Sequence, residues 1–291
     1  WTTAIPANNQ IEEKAAKDTA GNIYVSGIDT VAGEAVLHKI QPDGTQVGAF
    51  SPSIAGATNV TAPVVIGNDI FVGATGPWGF GGFMDQFRIY KFDNNGNLVN
   101  QVEPKAADFA GEIQGLEKSG TTLYATGQST GMGGITAGLY AIDSATGNLD
   151  GGFGVGGMID FAGGTTQRVD VGPAIDGAGN IWTAFRRPTD FTRIRGFDNS
   201  GTAIAGANYD LPAGELTENT SPVISGNLVV VGTDGGSTGA AGKIYAWNTT
   251  TNAQAWGGNP YDLGTNPNTF QGHNPEGIAV APDGSIYVGT S

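Results

Sequence analysis

A chain of 291 residues, 39% of them hydrophobic, can build one large domain or two, and a formal net charge of −14 offers no broad basic face to phosphates, so nucleic acid is excluded as a partner. There is no cysteine, which removes disulfides and Cys–metal sites, and no apolar run approaches the roughly 18 residues of a membrane-spanning helix. The 49 glycines far exceed the usual ~7%, yet β-branched and aromatic runs recur between them at regular spacing, which argues against disorder.

The sequence opens on Trp1 with neither Met nor a signal segment, which reads as a processed chain or a piece of a larger multidomain one. From there one unit is written repeatedly. A short apolar run leads into a tight turn and a second run, first in DTAGNIYVSG (18–27). Aligned on the first apolar residue after the turn, the copies fall at Ile23, Ile70, Leu123, Ile181, Leu228 and Ile286. The next position is aromatic in five of them: Tyr24, Phe71, Tyr124, Trp182 and Tyr287. Packing between neighbouring units accounts for that position. A third run follows in each complete unit (VLHKIQ 36–41, RIYKFD 88–93, GLYAID 138–143, RIRGFD 193–198, KIYAWN 243–248), then a polar turn. A fourth, shorter run closes it, as in QVGAF (46–50), NLVNQVE (97–103) and AQAWGG (253–258).

Four strands in roughly 50 residues, five times over with a sixth unit begun, predict an all-β, six-bladed β-propeller of four-stranded antiparallel blades in a single domain, 1–291. The sixth unit has only its first two strands, PEGIAVAPDGSIYV (275–288). Residues 1–5, WTTAI, read as the outer strand that closes it, so N- and C-terminal strands complete the last blade and remove an open edge.

These stretches resemble known repeat families. DTAGNIYVSG…LHKIQPDGT looks like the SBBP-type propeller repeat of bacterial secreted and surface proteins, GNLDGGFGVGGMIDF (147–161) is similar to the delta-60 repeat, and PEGIAVAPDGSIYV is similar to NHL repeats and to SMP-30/gluconolactonase-like six-bladed propellers. The first resemblance implies an extracellular or cell-surface bacterial setting. The last implies a metal at the channel mouth, although the family's Pro-Asn-Gly is here Pro275-Glu276-Gly277.

In a propeller the turns between strands one and two, and three and four, lie on one face. Here they are short and stereotyped, and their aspartates (Asp18, Asp43, Asp93, Asp143, Asp176, Asp198, Asp283) are turn-makers or Ca²⁺ ligands. The connections between strands two and three lie on the opposite, top face. They are long and dissimilar: 27–35, 76–87, 127–138, 185–193 and 233–242. Variable loops on a uniform scaffold place recognition there.

Three candidate sites follow. Trp78, Phe80 and Phe83, with Asp85 beside them, form either a platform for a sugar ring or a partner's apolar patch, or a plug over their own blade. Five of the six arginines fall between residues 168 and 195, and Arg186, Arg187 and Arg193 are suited to a carboxylate or sulfate, or to ion pairs with the interleaved aspartates. At the channel mouth, Glu13, Glu112, Asp170, Asn219, Asn274 and Glu276 make a ring suited to a hard cation such as Ca²⁺, or to water alone.

With two histidines and no cysteine, a nucleophilic triad has no support, and His38 reads as packing. The favoured function is a non-catalytic recognition module of an extracellular protein, binding carbohydrate or protein through the top loops. The alternative is a metal-dependent hydrolase of lactonase type.

Overall fold

The structure is a computed structural model that describes residues 6, 9–11, 14–78, 85–104, 110–131, 134–161, 168–187, 191–217, 220–233, 242–264 and 275–290. Of residues 10, 110, 129–131, 134–136, 187, 191, 275, 276 and 290 it describes the backbone only. Among these residues there is no α-helix, and the strands pair as successive antiparallel sheets in chain order.

In the first sheet Ile23–Asp29 pairs with Glu34–Ile40, which pairs with Ser53–Ala55; on its other edge lie Asn9–Gln10 and Ala16–Lys17. The second sheet carries Asn59–Val60 and Val64–Ile66, then Asp69–Gly76, Gln86–Phe92 and Leu98–Val102. The third runs Ala110–Ser119, Thr122–Gly131, Gly134–Asp143 and Met158–Asp160, and the fourth Ala174–Ile175, Ile181–Arg187, Phe191–Phe197 and Ala203–Asp210. The fifth is Val223–Ser225, Leu228–Thr233 and Lys243–Asn248 with Ala253–Gln254 and Tyr261–Asp262; the last is the hairpin Pro275–Val280 and Ile286–Thr290.

A fifth strand in a sheet is in each case one strand position broken in two. In the second sheet the break falls at Pro63, which has no N–H to give the ladder, and the Thr61 hydroxyl takes the Gly73 N–H instead at 3.0 Å. In the fifth sheet it falls at the 3-10 turn Trp256–Gly258, where Trp256 (φ 55), Gly257 (φ 71) and Gly258 (φ 84) are all left-handed and cannot continue a strand.

Three sequence expectations are corrected. The outer strand of the first sheet is Ser53–Ala55 and not 46–50, where Gln46 makes an isolated bridge to Ile40 and the chain then turns. The stretches 127–138 and 185–193 are largely strand, because the two hairpins extend to Gly131/Gly134 and to Arg187/Phe191. Tyr287 is 63% exposed, whereas Tyr24, Phe71, Tyr124 and Trp182 are at most 2% exposed. Among the described residues the last sheet has two strands, and Tyr287 is not among its packed residues Ile278, Ile286 and Val288.

The chain divides into two compact units: Trp1–Gly134 with Leu139–Gly151 and Gly156–Met158, and Ile159–Ser291 with Ile135–Gly138 and Gly152–Val155. In the first, one core gathers Tyr24, Leu37, Phe50, Val72, Tyr90 and Phe92, and a second gathers Phe71, Phe87, Ile113, Leu123 and Tyr140. In the second unit the core is an aromatic tier of Trp182, Tyr209, Tyr245 and Trp247 with Ile194, Val229 and Val231. Strands buried on both faces explain why their sequences read as continuous apolar runs.

The turn aspartates are structural. Asp176 accepts the backbone N–H of Ala178 and Asn180 through Oδ1 (both 2.9 Å), and the Asn180 amide (2.9 Å) and Trp182 indole N–H (3.0 Å) through Oδ2. Asp18 repeats the pattern with Asn22 and the Tyr24 hydroxyl, and Asp43, Asp93, Asp143, Asp198 and Asp283 each accept backbone N–H groups of their own turns. Partial burial raises the Asp176 pKa, but the hydrogen bonds from Trp182, Asn180 and Ala178 outweigh it and hold the carboxyl below its usual range.

A depressed folded pKa means that the unfolded chain binds the proton first. The stabilisation is therefore complete above the ordinary carboxylate range near pH ~4 and is lost as pH falls through the folded pKa. The urea midpoint of the native chain is expected to fall more steeply between pH 5 and pH 2 than that of Asp176→Asn; parallel profiles would refute this role.

Candidate functional site

In the first unit the site builds up at the end of the second sheet where Asp69–Gly76 meets Gln86–Phe92. Trp78 folds back, its indole N–H donating to the Ala55 carbonyl at 3.1 Å. The Arg88 guanidinium lies 4.9 Å from the centre of its ring, and Tyr90 meets it edge-on at 6.2 Å. The close approach depends on glycine. A Cβ on Gly76 would stand 2.5 Å from the Gly56 carbonyl and 2.7 Å from the Trp78 ring. Gly76→Ala is expected to cost about 1–3 kcal/mol and to shift the tryptophan emission, read by urea unfolding and fluorescence.

Gln86 and Arg88 lie on one face of their strand, two residues apart. Gln86 is 4% exposed, and its side-chain amide nitrogen and oxygen are both buried without a hydrogen-bond partner, as is Arg88 Nε. The other end of Arg88 pairs with Glu103 at 2.6 Å. Burial pushes the Tyr90 phenol up, against the pull of Arg88. Asp85 is exposed and its carbonyl accepts the Gly111 N–H. Phe80 and Phe83 lie outside the described residues.

In the second unit the arginines do not form one patch. Cross-strand pairing sets Arg193 beside Phe185 and Arg186 beside Thr192, which puts Arg186 and Arg193 on opposite faces of the sheet. Arg193 is bidentate to Asp210, through Nε to Oδ1 and through Nη2 to Oδ2 at 2.7 Å, and Asp210 raises its pKa. Arg186 meets Arg168 across an isolated backbone bridge, and Arg195 covers the Phe197 ring at 5.2 Å. Of Arg187 only the backbone is described, paired with Phe191.

Of the channel-mouth set, Glu112 is exposed and accepts the side-chain amides of Gln128 (3.1 Å) and Gln114 (3.3 Å), and Asp170 is half-buried. The Glu276 backbone sits in the bulge between the Pro275–Thr290 and Gly277–Gly289 pairs, while Glu13, Asn219 and Asn274 lie outside the described residues. Among the described residues no three His, Asp or Glu side chains come together as a metal site would need. His38 is buried as a packing residue would be, with the Asn9 and Gln46 amides at 2.8 and 2.9 Å on its two ring nitrogens, and burial lowers its pKa.

The residue that the sequence did not single out is Glu215. It is 5% exposed, and its carboxylate accepts Lys243 Nζ (2.5 Å), the Thr233 hydroxyl (2.5 Å) and the Tyr245 hydroxyl. Burial, with Glu215 beside it, drives the Tyr245 phenol far above its usual range, so it stays protonated. Lys243 and Tyr245 face a cleft of about 530 Å³. A carboxylate between two apolar runs carries no local pattern that marks it for burial.

Comparison with known proteins places the fold. The profile of the strictosidine synthase-like N-terminal family matches residues 267–291. No curated protein sequence matches the chain. Among solved structures, a Mycobacterium tuberculosis puromycin-hydrolyzing peptidase is similar at 12% identity and TM-score 0.55, over 98% of this chain and 43% of that one. An α-L-arabinofuranosidase from Fusarium graminearum is similar at 8% identity and TM-score 0.55 (95% and 85%), and a PL25 ulvan lyase at 9% and 0.51 (83% and 64%). The chain spans less than half the length of the peptidase. The all-β succession of four-position antiparallel sheets is thus a fold of β-propeller type.

Proposed function

We propose that the chain is a six-bladed propeller of SBBP, delta-60 or NHL-like repeats, with residues 1–5 completing the blade of the last hairpin. It serves as a non-catalytic recognition module of a bacterial extracellular or cell-surface protein, binding carbohydrate or protein through the ends of strands two and three. The observation that carries this is the Trp78–Gln86–Arg88 patch, where three buried polar atoms have no protein partner beside an aromatic ring. Buried polar groups in folded proteins are nearly always paired, so unmet donors and acceptors near the ends of these two strands favour a ligand that supplies both. A sugar hydroxyl does. That an arabinofuranosidase and an ulvan lyase share the fold agrees with a saccharide ligand.

Glycan-array binding by the native chain is expected to weaken in Trp78→Ala, and binding unchanged in that variant would remove the patch from the reading. Elemental analysis is expected to find no stoichiometric divalent metal. Tight metal retention with loss of stability in EDTA would replace this reading by a lactonase-type hydrolase acting through Glu13, Glu112, Asp170, Asn219, Asn274 and Glu276.

A further inference from the structure

The cleft of about 530 Å³ in the second unit belongs to none of the sites considered above. Its wall is one face of Lys243–Asn248, presenting Lys243, Tyr245 and Trp247 at alternate positions, with Gln254 paired across from Trp247. Asn208 and Tyr209 border it from the outer strand of the fourth sheet. We propose that this cleft is a binding site for a neutral saccharide, held by hydrogen bonds rather than by ring stacking.

Three observations carry the class of ligand. First, the charge of Lys243 is already met by the buried Glu215 at 2.5 Å, so the wall is electrically balanced while the ammonium keeps further N–H groups to donate. An anionic sugar would compete with a carboxylate that is 5% exposed and has two more hydrogen bonds.

Second, the rings stack on each other: Tyr209 on Trp247 at 5.2 Å and 19°, and Tyr245 on Trp247 at 5.7 Å and 14°. Trp247 thus gives ring face to both neighbours, and where its edge or that of Tyr209 borders the cleft the positive rim of the aromatic quadrupole suits electron-rich oxygens.

Third, Gln254, across from Trp247, adds a planar amide that both donates and accepts, the pairing a vicinal diol matches, and Asn208 borders the cleft from the neighbouring strand. The wall is also rigid. Tyr209, Tyr245 and Trp247 are 8%, 3% and 5% exposed, and Glu215 pins both Lys243 and Tyr245.

This site rests on the reading of the chain as a glycan-binding module but not on the Trp78 patch. The test is isothermal titration of the whole chain with neutral xylo-, cello- and galacto-oligosaccharides, against oligogalacturonate and a proline-rich peptide. Native protein, Asn208→Ala, Gln254→Ala, Trp78→Ala and, as a surface control, Val31→Ser are compared. Binding of a neutral oligosaccharide, weakened about 3- to 10-fold in each of the two cleft variants at unchanged melting temperature and equal to native in the control, is the expected result. The site is overturned if the cleft variants bind as the native chain does, or if oligogalacturonate or the peptide binds and the neutral sugars do not. Binding lost in Trp78→Ala alone overturns the cleft and keeps the Trp78 patch. No glycan binding by the native chain overturns both.

Discussion

Glu215→Ala is expected to lower the unfolding free energy by about 3 kcal/mol, measured by urea titration at pH 7. The side chain is 5% exposed and serves Lys243, Thr233 and Tyr245 together. Its removal leaves an ammonium short of its counter-ion, the hydroxyl of the 3% exposed Tyr245 short of an acceptor, and the Thr233 hydroxyl with only the Lys243 carbonyl at 3.4 Å. Lys243 is 29% exposed and recovers some solvent, which sets the value at the low end for a broken buried pair. Glu215→Gln keeps an acceptor and is expected to lose less.

The alanine variant also changes a titration. Burial remains the largest cause of the raised Tyr245 pKa, but without Glu215 the remaining push is smaller. The phenol is therefore expected to ionise at lower pH than in the native chain, followed by ultraviolet absorbance. A loss below 1 kcal/mol with an unmoved Tyr245 would show that the network contributes nothing.

Trp182→Ala is expected to cost about 3–5 kcal/mol by the same measurement. The ring is 1% exposed and stacks on Tyr209 at 6.4 Å and 8°. It lies so close to Gly196 that a Cβ there would stand 2.9 Å from it. The strands on either side are backbone-paired and cannot collapse into the space, so the lost contacts are not recovered. Truncation also strands one of the four hydrogen bonds that hold Asp176 in its turn. Trp182→Phe keeps most of the ring and is expected to fall between the two, while a cost under 1.5 kcal/mol for alanine would mean that the tier is not a stabilising core.

Much of the architecture was legible in residues alone. Asp18-x₃-Asn22-x-Tyr24 and Asp176-x₃-Asn180-x-Trp182 state a turn and the strand after it, because the hydrogen bonds within each motif span at most six residues. The third strands were equally plain, since alternation fixes which residues are buried once a strand exists. Strand ends were less so. Residues 127–138 contain enough Gly to read as a loop, and only pairing with the neighbouring strand draws them into a hairpin. The outer strand at Ser53–Ala55 shows the same thing, since edge strands carry weak patterns and are chosen by what their neighbour offers.

The sites divide along the same line. Trp78 stood out because aromatics among glycines are rare, but whether it faces a ligand or its own blade depends on Arg88, Tyr90 and Ala55, which come from two other strands. The arginines stood out as a cluster in number, and the strand register then placed Arg186 and Arg193 on opposite faces. Glu215 did not stand out at all, since its partners are 18, 28 and 30 residues away and burial of a carboxylate is a property of those partners. By itself the sequence determined an all-β repeat with tight Asp-anchored turns, because turn chemistry and strand alternation act over a few neighbouring residues. Only the tertiary structure decided which aromatic at the shared repeat position is covered and which acid is buried, because exposure is set by strands brought together from distant parts of the chain.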